Sequence, residues 1–465
     1  MASLYDPDDR AQRQRELERR RRYEQRRRAH IRKQRLVFGG GGLLILLILI
    51  LIIRSCSKEP QEISTVRYTP NMKTMPEIHL GDEDLGQDPD PARQSRSITL
   101  AAVGDIMCYD EQLQDALTDG RYDFTAAFSE VAETLSAADV AIGNLETTFA
   151  DDNPYAGKPN FNSPPELAGA LAGAGFDVLS TANTYSIQYG INGLFSTLLH
   201  TQQAGITPVG TYFTQEERNL NGSAVIRDVD GVRVAFLAYT KGVNNMYLPD
   251  GYEYSVNMLY DDYYFAYTGF RKKEILADIS AAKEAGADVI VCMLHWGSEY
   301  ESAVTAEQEN IADTLLSAGV NIIIGSHSHV VSEVEMRDVT LSDGSVRQGL
   351  VAWSLGNFYS YMSREGTMES LILQIALQVD EDGVHFTSVD YVPVCTSYDE
   401  DMTHFRVTNI PLQIDRYLSV AEGSVDAATY ETYQSIVRHI DNRVGTNYMP
   451  REETEETSGE TPEET

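Results

Sequence analysis

VIVCMLHWGSEY at positions 289–300 leads, a few residues on, into AEQENIADTLLSAGV at 306–320 and NIIIGSHSHV at 321–330. The first and last segments begin with β-branched apolar runs, Val289–Leu294 and Asn321–Ile324, of the length expected for buried strands. Ala306–Ser317 between them has an amphipathic helical pattern and stops at Ala318-Gly319, a helix-terminating pair. Strand, helix and strand in this order predict an α/β fold with helix-covered sheets. The same alternation extends outward on both sides. Strands are expected at Ile98–Val103, Val140–Gly143, Val178–Thr181, Val225–Ile226 with Val232–Tyr239, and Gly349–Ser354, and helices at Pro165–Ala174 and Lys272–Ala285. Leu371–Val379 and Val384–Tyr391 have no helix between them and predict an antiparallel part. A helical extension is expected over Pro411–Arg443, within residues 401–450, and a disordered acidic tail at 451–465.

Polar residues collect where these strands end, and in an α/β fold function collects at the carboxyl ends of strands. The first strand runs into Gly104-Asp105, the second into Gly143-Asn144-Leu145-Glu146. Later ones run into His295-Trp296-Gly297-Ser298-Glu299-Tyr300, Gly325-Ser326-His327-Ser328-His329, and Ser354-Leu355-Gly356-Asn357-Phe358. Asp105, Asn144, Glu146, His295, His327 and His329 form a mixed oxygen and imidazole set that suits one or two divalent cations of the Mn, Zn or Fe kind. His327 and His329, two apart on a segment read as extended, are expected to point to the same side. That suits two ligands on one metal, or one ligand and one substrate contact. Such a centre hydrolyses phosphoesters with a metal-activated water, and Glu299 offers a general base. A serine hydrolase is excluded, because the chain has no Gly-x-Ser-x-Gly elbow.

The formal net charge is -33. Residues 1–36 carry 13 Lys/Arg against six Asp/Glu, so the remainder is near -40. Between the two blocks lie 18 uncharged residues, 36–53, about the minimum for a membrane-spanning helix. The arginine-rich arm, 1–35, is then expected to stay cytoplasmic against anionic lipid, with everything after Ile53 exported. Membrane tethering accounts for the arm's charge without nucleic acid. No small-x-small cleavage site follows the apolar run, and Arg54 is wrong for a lipidated Cys56. Residues 54–97, with five prolines, read as a flexible linker to a domain spanning 98–400. Cys56, Cys108, Cys292 and Cys395 are too few for a dense disulfide framework.

The motifs Gly-Asp, Gly-Asn-Leu-Glu, His-Trp-Gly-x-Glu-Tyr, Gly-x-His-x-His-Val and Ser-Leu-Gly-Asn-Phe, in that order over residues 98–360, resemble the CapA family of capsule-synthesis proteins. This family is a branch of the calcineurin-like metallophosphoesterases. Tyr239-Thr240 followed by Asn244 is similar to its mid-domain pattern. The resemblance implies packed β-sheets flanked by helices in αββα layers. It also implies a role in making or exporting an anionic capsule polymer of the poly-γ-glutamate type, beside other membrane-bound synthesis proteins. One departure stands out. Where the family reads Ala-Asn-Asn-His-x-x-Asp-x-Gly, this chain has Ala182-Asn183-Thr184-Tyr185-Ser186-Ile187-Gln188-Tyr189-Gly190. Asn183 is kept, while Thr184, Tyr185 and Gln188 replace an Asn, a His and an Asp. Tyr185 then stands where the family has the imidazole that protonates or stabilises the leaving group, and a phenol is a poor proton shuttle at neutral pH. Two function classes follow: a metal-dependent hydrolase, and a catalytically silent binding or assembly component on the same scaffold. A domain near -30 repels polyanions at long range, so an acidic substrate must be drawn by the metal or by a local basic patch.

Overall fold

A near-continuous apolar run gives a strand buried on both faces. In the computed structural model, which describes residues 95–341, 344–421 and 423–448, the first strand shows the principle. β1 (Arg96–Ile106) turns Ile98, Leu100 and Ala102 to one face and Ala101 and Val103 to the other. β2 (Val140–Leu145), β3 (Val178–Ser180) and β4 (Thr207–Val209) continue from β1 as a parallel set.

A second sheet opens with the hairpin β5 (Val225–Val229) and β6 (Val232–Thr240). β7 (Val289–His295) and β8 (Ile322–Ser326) then join β6 in parallel. An unexpected strand, β9 (Val334–Thr340), forms an antiparallel hairpin with β10 (Val346–Ala352), and the second sheet runs β9-β10-β8-β7-β6-β5. The chain returns through β11 (Asn357–Tyr359), which pairs with β1. β12 (Glu369–Asp380) and β13 (Gly383–Ser397) are antiparallel, as their missing crossover helix predicts.

Ahead of the helical extension expected over Pro411–Arg443, the chain adds one more strand. Arg406–Asn409 is a strand, β14, because Val407 and Thr408 are buried against β13. The first sheet therefore runs β14-β13-β12-β1-β2-β3-β4, with β11 beside β1.

The two sheets pack face to face. Phe236, Ala238, Val291, Met293 and Ile324 from one meet Leu100, Ala102, Ile142 and Leu373 from the other in one hydrophobic core. Helices cover the outer faces. α1 (Glu166–Gly173) seats Leu167 and Leu171 on the first sheet. α2 (Gly190–Gln203) adds Leu194 and Leu198 to the inter-sheet core. α3 (Lys272–Glu284) and α4 (Ala306–Ala318) place Ile275, Ile279, Ile311 and Leu315 on the second sheet. α4 starts with a capping box from Thr305 and Gln308 and ends at Gly319 in the left-handed conformation. α5 (Ile410–Leu418) and α6 (Ala427–Val444) follow β14, and Ile440 and Val444 of α6 also reach the inter-sheet core.

Cys108, Cys292 and Cys395 are all buried free thiols. The basic arm 1–35, the apolar run 36–53, nearly all of the linker and the acidic tail 451–465 lie outside the described residues. Among the described residues no helix is long and apolar enough to cross a membrane.

Candidate metal centre

Parallel pairing lines up the strand ends. On the first sheet Asp105 is in register with Asn144 on β2 and with Asn357 on β11. On the second, His295 is in register with Thr240 on β6 and Ser326 on β8. Two rows of polar residues, one per sheet, thus face each other at the same edge of the sandwich.

Asp105 reaches its row through an irregularity. Strict alternation from Ile98, Leu100 and Ala102 would turn Asp105 away from the second sheet. The β1 pairing slips between Ala102 and Asp105, and again between Asp105 and Ile106, so Ile106 packs on the helix side instead. Gly104 is required here because a Cβ would overlap the Gly356 carbonyl, and at Gly325 a Cβ would overlap the Trp353 carbonyl. The glycines preceding Asp105 and His327 therefore let the strands close up beneath the site.

All six predicted ligand residues are buried and converge. Asp105 Oδ1 accepts from Asn144 Nδ2 at 2.7 Å, and Asp105 Oδ2 lies 3.2 Å from His329 Nδ1. His295 Nε2 is 3.1 Å from His327 Nδ1 and 3.3 Å from Glu146 Oε1. Two groups of donors have atoms within 4.8 Å of one another: Glu146, His295 and His327, and Asp105, Glu146 and His329. His327 and His329 thus belong to different groups, with Glu146 shared.

This corrects the expectation of two histidines pointing to one side from an extended segment. Both lie beyond β8 in the left-handed region, with φ of 88° and 60°. Each such residue costs on the order of 1–3 kcal/mol, a strain that clusters at functional sites.

The donor set fits a divalent cation. Glu146 is 1% exposed, yet neither of its carboxylate oxygens has a hydrogen-bond partner. Its 3.3 Å approach to His295 is not aligned for a hydrogen bond. A buried carboxylate left in this way is expensive unless a cation neutralises it.

Ionisation differs between the two donor groups. Burial opposes the charge on Asp105, but the His329 hydrogen bond, the charges of His329 and His295, and Asn144 together hold its carboxyl below the usual range. Burial, and then the neighbours His295, Lys241 and His329, push His327 well below the ordinary imidazole value, leaving it neutral as a ligand must be. Burial also disfavours charge on His329, yet its hydrogen bond to Asp105 and the nearby Glu146 raise it to about 9.

The three residues read as catalytic do not sit as expected. Asn183 spends its amide inside the scaffold: Nδ2 donates to the Leu145 carbonyl at 2.7 Å and to Asn144 Oδ1 at 3.3 Å, while Oδ1 accepts from the Tyr185 N–H. It positions Asn144. Tyr185 lies against Phe161, ring centroids 4.8 Å apart, in an apolar cluster with Met107, Tyr109 and Met362. Desolvation, with the neighbouring Glu146, raises its phenol above the ordinary value, so it donates a proton even less readily than a free tyrosine. Glu299 is exposed at the mouth. Gln188 is held between Asn160 and Asn244, and so acts in the loop's own support.

Thr184 is the residue of that loop that reaches the centre, its Oγ1 lying 2.9 Å from His295 Nε2. Two orienting partners carried no assigned role in the sequence reading. Ser326 Oγ lies 2.9 Å from His295 Nδ1, and Asn357 Oδ1 lies 2.9 Å from His329 Nδ1 while its amide donates to the Thr367 carbonyl. Such partners fix ring orientation and basicity. The recurring Ser-Leu-Gly-Asn-Phe motif contained the signal for Asn357.

Residues 99–362 match the family model described as bacterial capsule synthesis protein PGA_cap. The chain is 28% identical over 312 residues to the capsule biosynthesis protein CapA of Bacillus anthracis, covering 65% of this chain and 68% of that protein. It is 25% identical over 291 residues to the PGA biosynthesis protein CapA of Bacillus subtilis (strain 168), covering 62% and 69%. Among solved structures, the calcineurin-like phosphoesterase YfkN from Bacillus subtilis aligns with a TM-score of 0.36 at 12% identity, covering 75% of this chain and 99% of that one.

Proposed function

Because this chain belongs to the bacterial capsule synthesis protein PGA_cap family, we propose that it acts in the synthesis or export of an anionic capsule or cell-envelope polymer of the poly-γ-glutamate type. We assign it the role of a metal-dependent hydrolase with a metallophosphoesterase-like αββα domain, acting on a phosphoester or a related polymer bond beside other membrane-bound synthesis proteins. The observation that carries the hydrolase reading is Glu146, a buried carboxylate with both oxygens unpaired, shared by two donor groups that each add their own histidine.

One or two divalent cations, of the Mn, Zn or Fe kind, would acidify a water and neutralise charge on a leaving oxygen. Glu146 would hold both positions, with His295 and His327 completing one and Asp105 and His329 the other. Ser326 and Asn357 keep the two rings turned inward. Phe161, Met107, Met362 and Tyr185 form an apolar wall that keeps bulk water from one side.

A second reading, a silent binding or assembly component, is favoured by the loop at 183–190, where Thr184 and Tyr185 offer no efficient proton donor. Metal content measured by plasma mass spectrometry on the purified protein tests the centre the first reading needs, and turnover of a phosphodiester by the metal-loaded protein then separates the two. About two equivalents are expected, with His327→Ala and His329→Ala each losing one and Glu146→Ala losing both. A metal-free protein under metal-replete conditions would sink the hydrolase reading and turn attention to polymer binding.

The apolar run 36–53 is the membrane anchor in this proposal, with the arginine-rich arm inside on anionic lipid and the domain outside. Protease added to intact cells should digest the domain and spare the arm. The reverse pattern would overturn the topology.

A further inference from the structure

A domain near -30 needs a local device to accept a polyanion, and two cations seated on tyrosine rings lie near the centre. Lys241 follows β6 directly, and its backbone N–H donates to the His295 carbonyl at 2.8 Å. Its ammonium lies 4.4 Å from the Tyr267 ring centroid and donates to the Gly297 carbonyl. Arg364 comes from the loop between β11 and β12, with its guanidinium 4.1 Å above the Tyr300 ring. The Tyr300 ring lies 6.0 Å from that of His329. Lys241 thus reaches the His295 end of the site through the His295 and Gly297 carbonyls, and Arg364 reaches the His329 end through the Tyr300 ring.

The exposed carboxylate of Glu299 lies within electrostatic range of both sides. It hydrogen-bonds Tyr300 and is felt by Lys241, Tyr267 and Tyr185. Glu307 also faces Lys241, and Glu365 follows Arg364 in the chain.

We infer that Lys241 and Arg364 are the anion-binding, specificity-determining residues of this site, and that its substrate is an extended polycarboxylate with acidic groups on both sides of the bond presented to the centre. This rests on reading the buried cluster as a metal centre that faces a polymer. Three physical points support it. Cation–π contact fixes two otherwise floppy side chains without consuming all their donors. Guanidinium matches carboxylate geometry. Within about 8 Å local charges outweigh the screened field of the remaining domain. A lone phosphomonoester would need only the metal; a chain of carboxylates uses the pair.

The test uses the full-length protein and a γ-linked glutamate hexamer carrying a benzophenone at one end, with crosslinks mapped by mass spectrometry. Site-by-site mapping keeps labelling of the basic arm separate, as an internal control. Label is expected on the peptides containing Tyr300 and Met362. It should fall about tenfold in Arg364→Ala and in Lys241→Met, the latter keeping the packed stem, and rise in Glu299→Gln. Unchanged metal content shows that the variants keep the centre. Mouth labelling within twofold of wild type in both cation variants, or none in the wild type, would overturn the inference. Pair-dependent labelling by a protein that hydrolyses nothing would sink the hydrolase reading alone.

Discussion

Glu146→Gln should raise the melting temperature of the metal-stripped protein and remove the stabilisation that metal gives the unmodified one. The opposite signs follow from one observation: the side chain is 1% exposed and both oxygens lack partners. Without a cation, that carboxylate is buried with neither oxygen hydrogen-bonded. The amide keeps its shape and loses the charge, recovering on the order of 1–3 kcal/mol, which corresponds to a few degrees for a domain of this size. With a cation, the balance reverses. A ligand present at a hundred times its Kd stabilises the folded state by about 2.7 kcal/mol, and loss of the shared carboxylate removes that gain from both donor groups at once. Differential scanning calorimetry with chelator and then with Mn or Zn reads both effects. A variant less stable than wild type by the same amount in both conditions would mean that Glu146 is an ordinary structural carboxylate.

The sequence carried most of the longer strands, the helices α1, α3 and α4 and all six convergent residues, because each signal was local, but not β4, β9, β11, β14 or α2. Val289–His295 and Ile322–Ser326 had to be strands, and polar residues directly after buried parallel strands must share one edge of the sheet. What could not be read depended on pairing between distant segments. The slip at Asp105 exists only because β1 pairs with β2 on one side and β11 on the other. The left-handed turns at His327 and His329 come from tertiary closure, since local preference resists them. That closure assigns the two histidines to separate donor groups, which a two-residue spacing alone cannot do. β9 was missed because Glu335, Arg337 and Asp338 interrupt its apolar pattern, although Val334 and Val339 are buried. Lys241 and Arg364 are 123 positions apart in the chain, and only the fold seats them on Tyr267 and on Tyr300 near one centre.

The double substitution Thr184→Asn/Tyr185→His should raise hydrolysis of a generic phosphodiester by about 10²–10⁴, the usual worth of a positioned general acid. Both positions already face the right region. Thr184 Oγ1 is 2.9 Å from His295 Nε2, so an amide there gains a stronger oxygen donor beside the donor group of Glu146, His295 and His327. Tyr185 lies beside Phe161 within the field of Glu146, where an imidazole would hold a transferable proton that the phenol, raised by desolvation, does not release. Gln188 is left alone because it ties Asn160 to Asn244, and aspartate is too short to keep both bonds. The loss of aromatic packing on Phe161 costs on the order of 1 kcal/mol, small against the expected gain in rate. Metal content separates the outcomes. If the double variant holds the same metal as wild type and turns over no faster, the loop does not limit catalysis. The absence of proton transfer from residues 184 and 185 would then be a settled feature of a binding protein, with Lys241 and Arg364 left as the groups that meet the polymer.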